Sequence, residues 1–530
     1  VETLMANDPA RVVIIGGGHN GLVAAFYLAK AGFAPVVLER REIVGGSAVT
    51  EEIHPGFRCP TVMHGTGPLL PQVVQDLQLK NNELLPIMTD AGDGLVTLHP
   101  DGRALRIWED PLRTAADPLF PIQDAAKYPE FHACLGRLGA AIRPLLSVTP
   151  PEIDDLKTDD YLNLGRFGLK FRGLAQKDAY RLLRWGPMPV ADLAAEWFES
   201  ELLRAVVEAR GVYGSSAGPW SAGTSVGVLM QAAFGGRPTV LRGGTGTLTQ
   251  VLAKAASAAG ARIRTNANVK RISIRNGAVS SVVLETGEEI AASAVVSNAD
   301  PRRTFLQMVE ATELDPGFLT KVRAYRTTGS VAKVNLALSG LPNFSAVKKA
   351  EELPVRIQIG PDTDYIERAF DAAKYGEFSA QPYLDICIPS IADPDMAPAG
   401  AHVMSIHVQY VPYKLKTGDW NTRREELGDT VVKALAEYAP NIRGLIVHRQ
   451  VLTPLDLEQV YGLTGGHIFH GEHALDQLFA FRPFLGWAQY RTPIKGLYLC
   501  GSGTHPGGGI TGAPGFNAGR EILKDLKSRR

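Results

Sequence analysis

Gly16, Gly18 and Gly21 stand in the spacing G-x-G-x-x-G directly after the apolar run Val12-Val13-Ile14-Ile15. That arrangement suits a dinucleotide pyrophosphate. Gly16 permits the sharp bend, Gly18 has no side chain to hold the phosphates off the backbone, and Gly21 lets the next helix pack close to the strand. The spacing predicts a helix that opens at His19 and Asn20, runs on through Leu22, Val23, Phe26 and Leu28, and stops at Gly32. Its first N–H groups face the phosphates, and the helix dipole favours negative charge there. Val36-Val37-Leu38 reads as a second apolar strand. It ends in Glu39, the place of a ribose-binding carboxylate roughly 20 residues past the turn.

After Glu39 the chain runs Arg40, Arg41, Glu42, Ile43 and Val44, then Gly45-Gly46-Ser47 and, shortly after, Thr50. An acid followed by such a glycine pair resembles the extended FAD motif of the amine-oxidase and phytoene-desaturase superfamily. The superfamily usually has arginine after the pair, and this chain has Ser47, so that phosphate contact is not carried over. Two further segments extend the resemblance. Residues 242–301 read as a glycine turn, a helix and a series of short strands, ending in Ser297-Asn298-Ala299-Asp300-Pro301. Near the C-terminus, Leu497-Tyr498-Leu499 leads into a second glycine loop over 501–512 and a last helix through Arg520. The runs 18–25, 48–53, 468–470 and 496–503 are similar to the branch of pyridine nucleotide-disulfide oxidoreductase domain-containing protein type two, near the carotenoid ketolases and desaturases.

The resemblance implies FAD as cofactor. It implies a site made of Gly16, Gly18, His19, Asn20, Gly21, Glu39, Arg40, Gly45, Gly46 and Ser47, with Val269 touching the adenine through its backbone. Gly501, Gly503, Gly509, Ile510 and Thr511 then lie along the pyrophosphate and isoalloxazine, with the last helix start facing the N1/O2 edge. The fold implied is α/β: a Rossmann-type, glutathione-reductase-like FAD-binding domain carrying an inserted α+β substrate domain. The activity implied is desaturation or oxidation of a lipophilic, isoprenoid- or carotenoid-like substrate by hydride transfer to flavin N5. Oxygen, a quinone or another acceptor then reoxidises the flavin. Polyene isomerisation and a non-catalytic, partner-binding role are the alternatives.

Flavin dehydrogenation needs a substrate C–H near N5 and sometimes a base for the accompanying proton. Three side chains are candidates for that work. Lys333 alternates with Val334 and Asn335 with Leu336, so both polar residues share one sheet face. Some related amine oxidases carry a lysine that reaches N5 through water; a plain strand lysine facing solvent fits the pattern equally. His470 follows Gly465-Gly466 and Ile468-Phe469 and suits a cavity wall. Tyr490, with Arg491, precedes the last cofactor strand and suits the wall facing the flavin. His467, His470 and His473 recur every three residues, but the surrounding glycines argue against a regular helix, and no metal is expected.

The four cysteines, Cys59, Cys134, Cys387 and Cys500, form no C-x-x-C pair. A flavin disulfide reductase needs adjacent thiols, so that chemistry is not expected, and scattered cysteines fit a reducing compartment. A single G-x-G-x-x-G leaves no second dinucleotide site for a nicotinamide. The 55 basic and 55 acidic residues cancel, so nothing draws nucleic acid. No apolar run approaches the roughly 18 residues of a membrane span, and the polar first ten residues do not read as a signal peptide. The reading is a cytoplasmic protein (mitochondrial matrix for eukaryotic relatives), with peripheral membrane contact and a homo-oligomer both left open. A basic stretch over 161–186, holding Arg166, Lys170, Arg172, Lys177, Arg181 and Arg184 among leucines, suits an anionic membrane surface or an ordinary solvated face.

The motif order sets the elements that must position these residues. Segments 1–70, 226–305 and 480–530 are expected to assemble the FAD-binding domain. Segments 71–225 and 306–479 build the substrate domain over it, the first mostly helical and the second with strands near 331–338, 383–388 and 403–411.

Overall fold

The computed structural model of the chain describes residues 11–79, 94–236, 239–349 and 352–528. The short apolar strands form a five-stranded parallel sheet in the order Leu497–Leu499, Ala294–Ser297, Val12–Ile15, Val36–Leu38, Arg262–Arg264. All but the edge strand Arg262–Arg264 are buried along their whole length, as parallel strands covered on both faces must be. Alternate residues feed two cores. Val12 and Ile14 pack under the helices His19–Lys30, Thr245–Ala258 and Ala513–Ser528. Val13 and Ile15 pack under an antiparallel sheet of Val269–Arg275, Ala278–Leu284 and Glu289–Ala291.

A second sheet of seven strands runs in the order Ile446–Leu452, Val331–Leu338, His402–Gln409, Leu384–Cys387, Arg356–Ile359, Gly94–Leu98, Ala104–Trp108. Every neighbouring pair is antiparallel except Arg356–Ile359 with Gly94–Leu98. Segment 71–225 is otherwise mostly helical, and it contributes the last two strands of this sheet. Gly94-Leu95-Val96-Thr97-Leu98 is buried throughout, so it shows no alternation, and it pairs on one side with the nearby Ala104–Trp108 and on the other with a segment more than 250 residues away.

Helices Lys127–Ile142, Val190–Trp197, Glu201–Val212 and Ser225–Phe234 form one apolar layer. Ser225–Phe234 therefore packs with the helices of the second unit, although the sequence boundary at 226 assigns it to the cofactor segments. The basic stretch forms the helices Thr158–Arg172 and Gln176–Trp185, with Leu162, Leu169 and Leu183 exposed beside Arg166, Lys170 and Arg184. Among the described residues no helix is long and apolar enough to cross a membrane.

Two glycines of one helix test this packing. A Cβ on Gly139 meets Ala232 O at 2.4 Å, whereas a Cβ on Gly136 meets nothing within 4 Å. Gly139→Ala is expected to destabilise the protein by about 1–3 kcal/mol through overpacking. Gly136→Ala should be neutral or stabilising by up to about 1 kcal/mol. Denaturant unfolding of the two variants checks this, and equal effects would show that the two helices do not meet as described.

Candidate functional site

Four loops leave the carboxyl ends of the parallel strands on one side of the sheet and enclose a long cleft: those at Gly16, Glu39, Asn298 and Ser502. Gly16 sits at φ +95°, open only to a residue without Cβ strain, and its N–H donates to Leu38 O at 2.8 Å. Gly18 is the N-cap of the helix His19–Lys30 and supplies no side-chain cap, so the first helical N–H groups remain for a ligand. A Cβ on Gly18 would stand 2.8 Å from Asn298 Nδ2 and close the turn. Gly21 does not line the cleft. Its Cα packs behind the turn, where a Cβ would meet Gly16 O at 2.3 Å.

Glu39 lines the cleft and is buried. Its carboxylate accepts the N–H of Gly17 at 2.8 Å and of Arg41 at 2.9 Å, tying the end of the second strand to the glycine turn. Arg40 lines the cleft with its guanidinium anchored on Gln459 O and Val460 O. Gly45, Gly46 and Ser47 come in beside Gly18, which forms a bridge with Gly45. Ala267, Asn268 and Val269 close one end. His19 and Asn20 complete the set, Asn20 donating to Ser502 Oγ at 3.2 Å and so joining the first glycine turn to the second.

The other end of the cleft is made by two loops, 467–473 and 501–512. Ile468, Phe469, His470, Ser502, Gly509 and Ile510 line it. Gly501 and Gly503 lie beneath, where a Cβ would meet Asn298 O and Pro301 Cδ, each at 2.5 Å. His470 (φ +59°) and Ile510 (φ +56°) hold left-handed backbone conformations that cost free energy in residues with a Cβ, most of all in a β-branched one. Burial and then Arg482 hold the His470 imidazole neutral, down to about 3, and its Nδ1 has no hydrogen-bond partner. Burial likewise holds His19 down to about 3.

Arg482 fixes these loops. Fully buried, it donates to Ser502 O (2.7 and 3.1 Å), Glu472 O (2.9 Å), Phe469 O (3.0 Å), Gln477 O (3.2 Å) and Gly471 O (3.3 Å). Tyr325 adds a second clamp, donating to His470 O at 2.9 Å. The three histidines of 467–473 do different work. His467 bonds Glu472 at 2.7 Å, His473 accepts from Gly508 N–H at 3.1 Å and stacks on Phe469, and His470 faces the cleft. Asn298, Arg482 and Tyr325 went unassigned in the sequence, because each acts by bonding backbone carbonyls distant along the chain.

A second, mostly apolar cavity adjoins the cleft, sharing Met63, Phe469 and Gly509 with it. Thr511 belongs to this cavity rather than to the cleft. Two expected catalytic residues line neither. Lys333 is corrected from solvent-facing or flavin-facing lysine to a buried strand residue, its Nζ donating to Ser405 Oγ at 2.7 Å and lying 3.2 Å from His64 Nδ1. The loop carrying Thr61 and His64 covers the polar face of its strand, where Asn335 Nδ2 donates to Thr61 O. Tyr490 is corrected from flavin wall to loop anchor: it is fully buried, and its hydroxyl donates to His505 O at 2.8 Å. Arg491 pairs with Glu521 and Asp525.

Residues 21–515 match the family described as flavin containing amine oxidoreductase. Among curated relatives, pyridine nucleotide-disulfide oxidoreductase domain-containing protein 2 of Rattus norvegicus is 36% identical, over 97% of this chain and 94% of its own. A limonene dehydrogenase polypeptide of Castellaniella defragrans is 28% identical, over 97% and 94%. Among solved structures, wild-type putrescine oxidase bound to putrescine superimposes with a TM-score of 0.59 at 16% identity, over 98% of this chain and 99% of that one.

The buried imidazoles set a pH limit. Burial holds His19, His407 and His470 down to about 3 and His64 and His505 down to about 4, from an ordinary value of 6.5. The unfolded chain therefore binds more protons than the fold from about pH 6.5 downward, and stability present above that value is lost as pH falls toward 3–4. The melting temperature is expected to drop by on the order of 10 °C between pH 7 and pH 4.5. A level melting temperature across that range would contradict the neutral state of these side chains.

Proposed function

The chain belongs to the flavin containing amine oxidoreductase family, and from that footing as an FAD-dependent oxidoreductase we propose that it oxidises or desaturates a lipophilic, isoprenoid-like molecule. FAD, when bound, accepts the hydride at N5. The chain's residues fit the cofactor. Gly16, Gly18 and the open start of the helix His19–Lys30 suit the pyrophosphate, and Glu39 stands at the strand end that suits the ribose. Val269 would hold the adenine at the far end, and Gly509 and Ile510 would border the isoalloxazine.

The observation that carries the substrate reading is the shared wall of the two cavities. Met63, Phe469 and Gly509 border both, so a ligand in the apolar cavity lies next to the cleft that the cofactor would fill. Val226, Met230, Phe234 and Pro68 add hydrocarbon surface to that cavity. A small diamine finds no dedicated carboxylate among the described residues that line it. The relative whose name is limonene dehydrogenase supports a hydrocarbon donor. None of the described lining residues is a free carboxylate base, which suits a reaction in which positioning and exclusion of water do most of the work.

Anaerobic mixing tests the reading. Isoprenoid donors are expected to bleach the visible flavin absorption of the FAD-loaded protein, and putrescine is expected to leave it unchanged. Reduction by amines alone, or by none of the isoprenoids, would overturn the assignment.

A further inference from the structure

Arg40, Arg41 and Arg303 line the cofactor cleft, and two of them are already held. Arg40 sets its Nη2 on Gln459 O and Val460 O. Arg41 pairs with Glu51, lies over the ring of Tyr461 at 4.7 Å, and buries its remaining Nη1 away from water. Arg303 differs. It is half-buried in the cleft wall, and among the described residues its guanidinium makes no hydrogen bond or ion pair. Local structure puts it there. The strand Ala294–Ser297 ends at Asn298, whose Nδ2 donates to Gly16 O at 3.3 Å, so this loop starts against the glycine turn. Asp300 then caps the next turn, accepting the Arg303 N–H at 3.0 Å, and Pro301 fixes its first position. The Asp300 carboxylate is engaged with that N–H and with the Thr464 hydroxyl, not with the guanidinium.

Gly462 locates the guanidinium. A Cβ there would stand 3.6 Å from Arg40 Cζ and 3.7 Å from Arg303 Nη1, so the two cations lie on the same glycine of the cleft wall. Burial and then Arg303 lower the Arg40 guanidinium from its ordinary value, while Glu39 raises it. Burial, then Arg482 and His467, hold the His470 imidazole neutral, and the charge of Arg303 adds to them. Arg303 therefore acts on both Arg40, next to the carboxylate that suits the ribose, and His470, at the isoalloxazine end. In FAD the pyrophosphate lies between those two groups. Like charges this close are costly in a half-buried site, and a neutral sugar would not relieve them. A pyrophosphate would, since guanidinium–phosphate bonds are among the stronger charge-assisted kind. The loops at Gly16–Gly18 and Gly45–Ser47 offer it backbone but no charged side chain. We infer that Arg303 is the side chain that neutralises the FAD pyrophosphate, reaching it from the Asn298 loop. The assignment is independent of the substrate.

The test reads binding rather than turnover, on the FAD-loaded protein. Dilution releases FAD, and the fluorescence of the free flavin gives its dissociation constant; added ADP or adenosine competes for the site. Arg303→Gln breaks no side-chain bond of the fold, and far-ultraviolet circular dichroism checks that the structure is kept. In that variant FAD and ADP are expected to bind about ten-fold or more weakly, with adenosine unchanged. FAD affinity should also fall less steeply with salt than in the parent chain. Arg303→Lys keeps the charge and should lose less than Arg303→Gln. FAD affinity equal to the parent's in Arg303→Gln overturns the assignment. Equal losses for ADP and adenosine put Arg303 at the nucleoside, or in a structural role, and overturn it as well. Equal losses in the lysine and glutamine variants overturn the role of charge.

Discussion

One buried guanidinium holds the site together. Arg482 spends its charge on backbone carbonyls of 469, 471 and 472 in one loop, 502 in the other, and 477 in the short helix Leu475–Gln477. A cation in low dielectric is costly unless every N–H is met, and here a fan of carbonyl dipoles meets it. The arrangement fixes Phe469, which borders both the cleft and the apolar cavity, and Ser502, which bonds Asn20 at the first glycine turn. The first glycine turn, the loop 501–512 and the wall between cleft and apolar cavity are therefore one unit.

Strain collects around that unit. His470, Phe479, Tyr490 and Ile510 all hold left-handed backbone, and each is kept there by something specific or by close packing. Tyr490 is held by its bond to His505 O, and the His470 carbonyl by Tyr325. Gly471 must be glycine, since a Cβ would stand 2.2 Å from the Tyr325 hydroxyl. Costs of this kind persist where the surroundings over-determine the backbone, as they do beside a ligand site.

The sequence makes the cofactor half legible for a physical reason. Its turn depends on glycines at fixed spacing, its strands are short apolar runs, and Glu39 follows one of them directly, so the signals are local. The substrate half resists the same reading. Gly94–Leu98 is buried on both faces between Ala104–Trp108 and the distant Arg356–Ile359, so it carries no alternation, and helix Ser225–Phe234 chooses its unit through the close approach of Gly139 to Ala232. Lys333 shows the limit most clearly. Its alternation with Val334 places it on one sheet face, but the loop from Thr61 to His64 covers that face, and no local pattern announces that cover. Arg482 is silent for a related reason, since carbonyl partners have no sequence signature.

Arg482 links the cofactor and substrate walls through its donor geometry rather than its charge, and that distinction can be measured. Arg482→Lys keeps the charge and provides at most three donors. The direct measurement is the FAD dissociation constant of this variant, beside its far-ultraviolet circular dichroism. FAD binding is expected to weaken about ten-fold or more with the secondary structure retained. FAD affinity equal to that of the parent chain would contradict the linking role of Arg482.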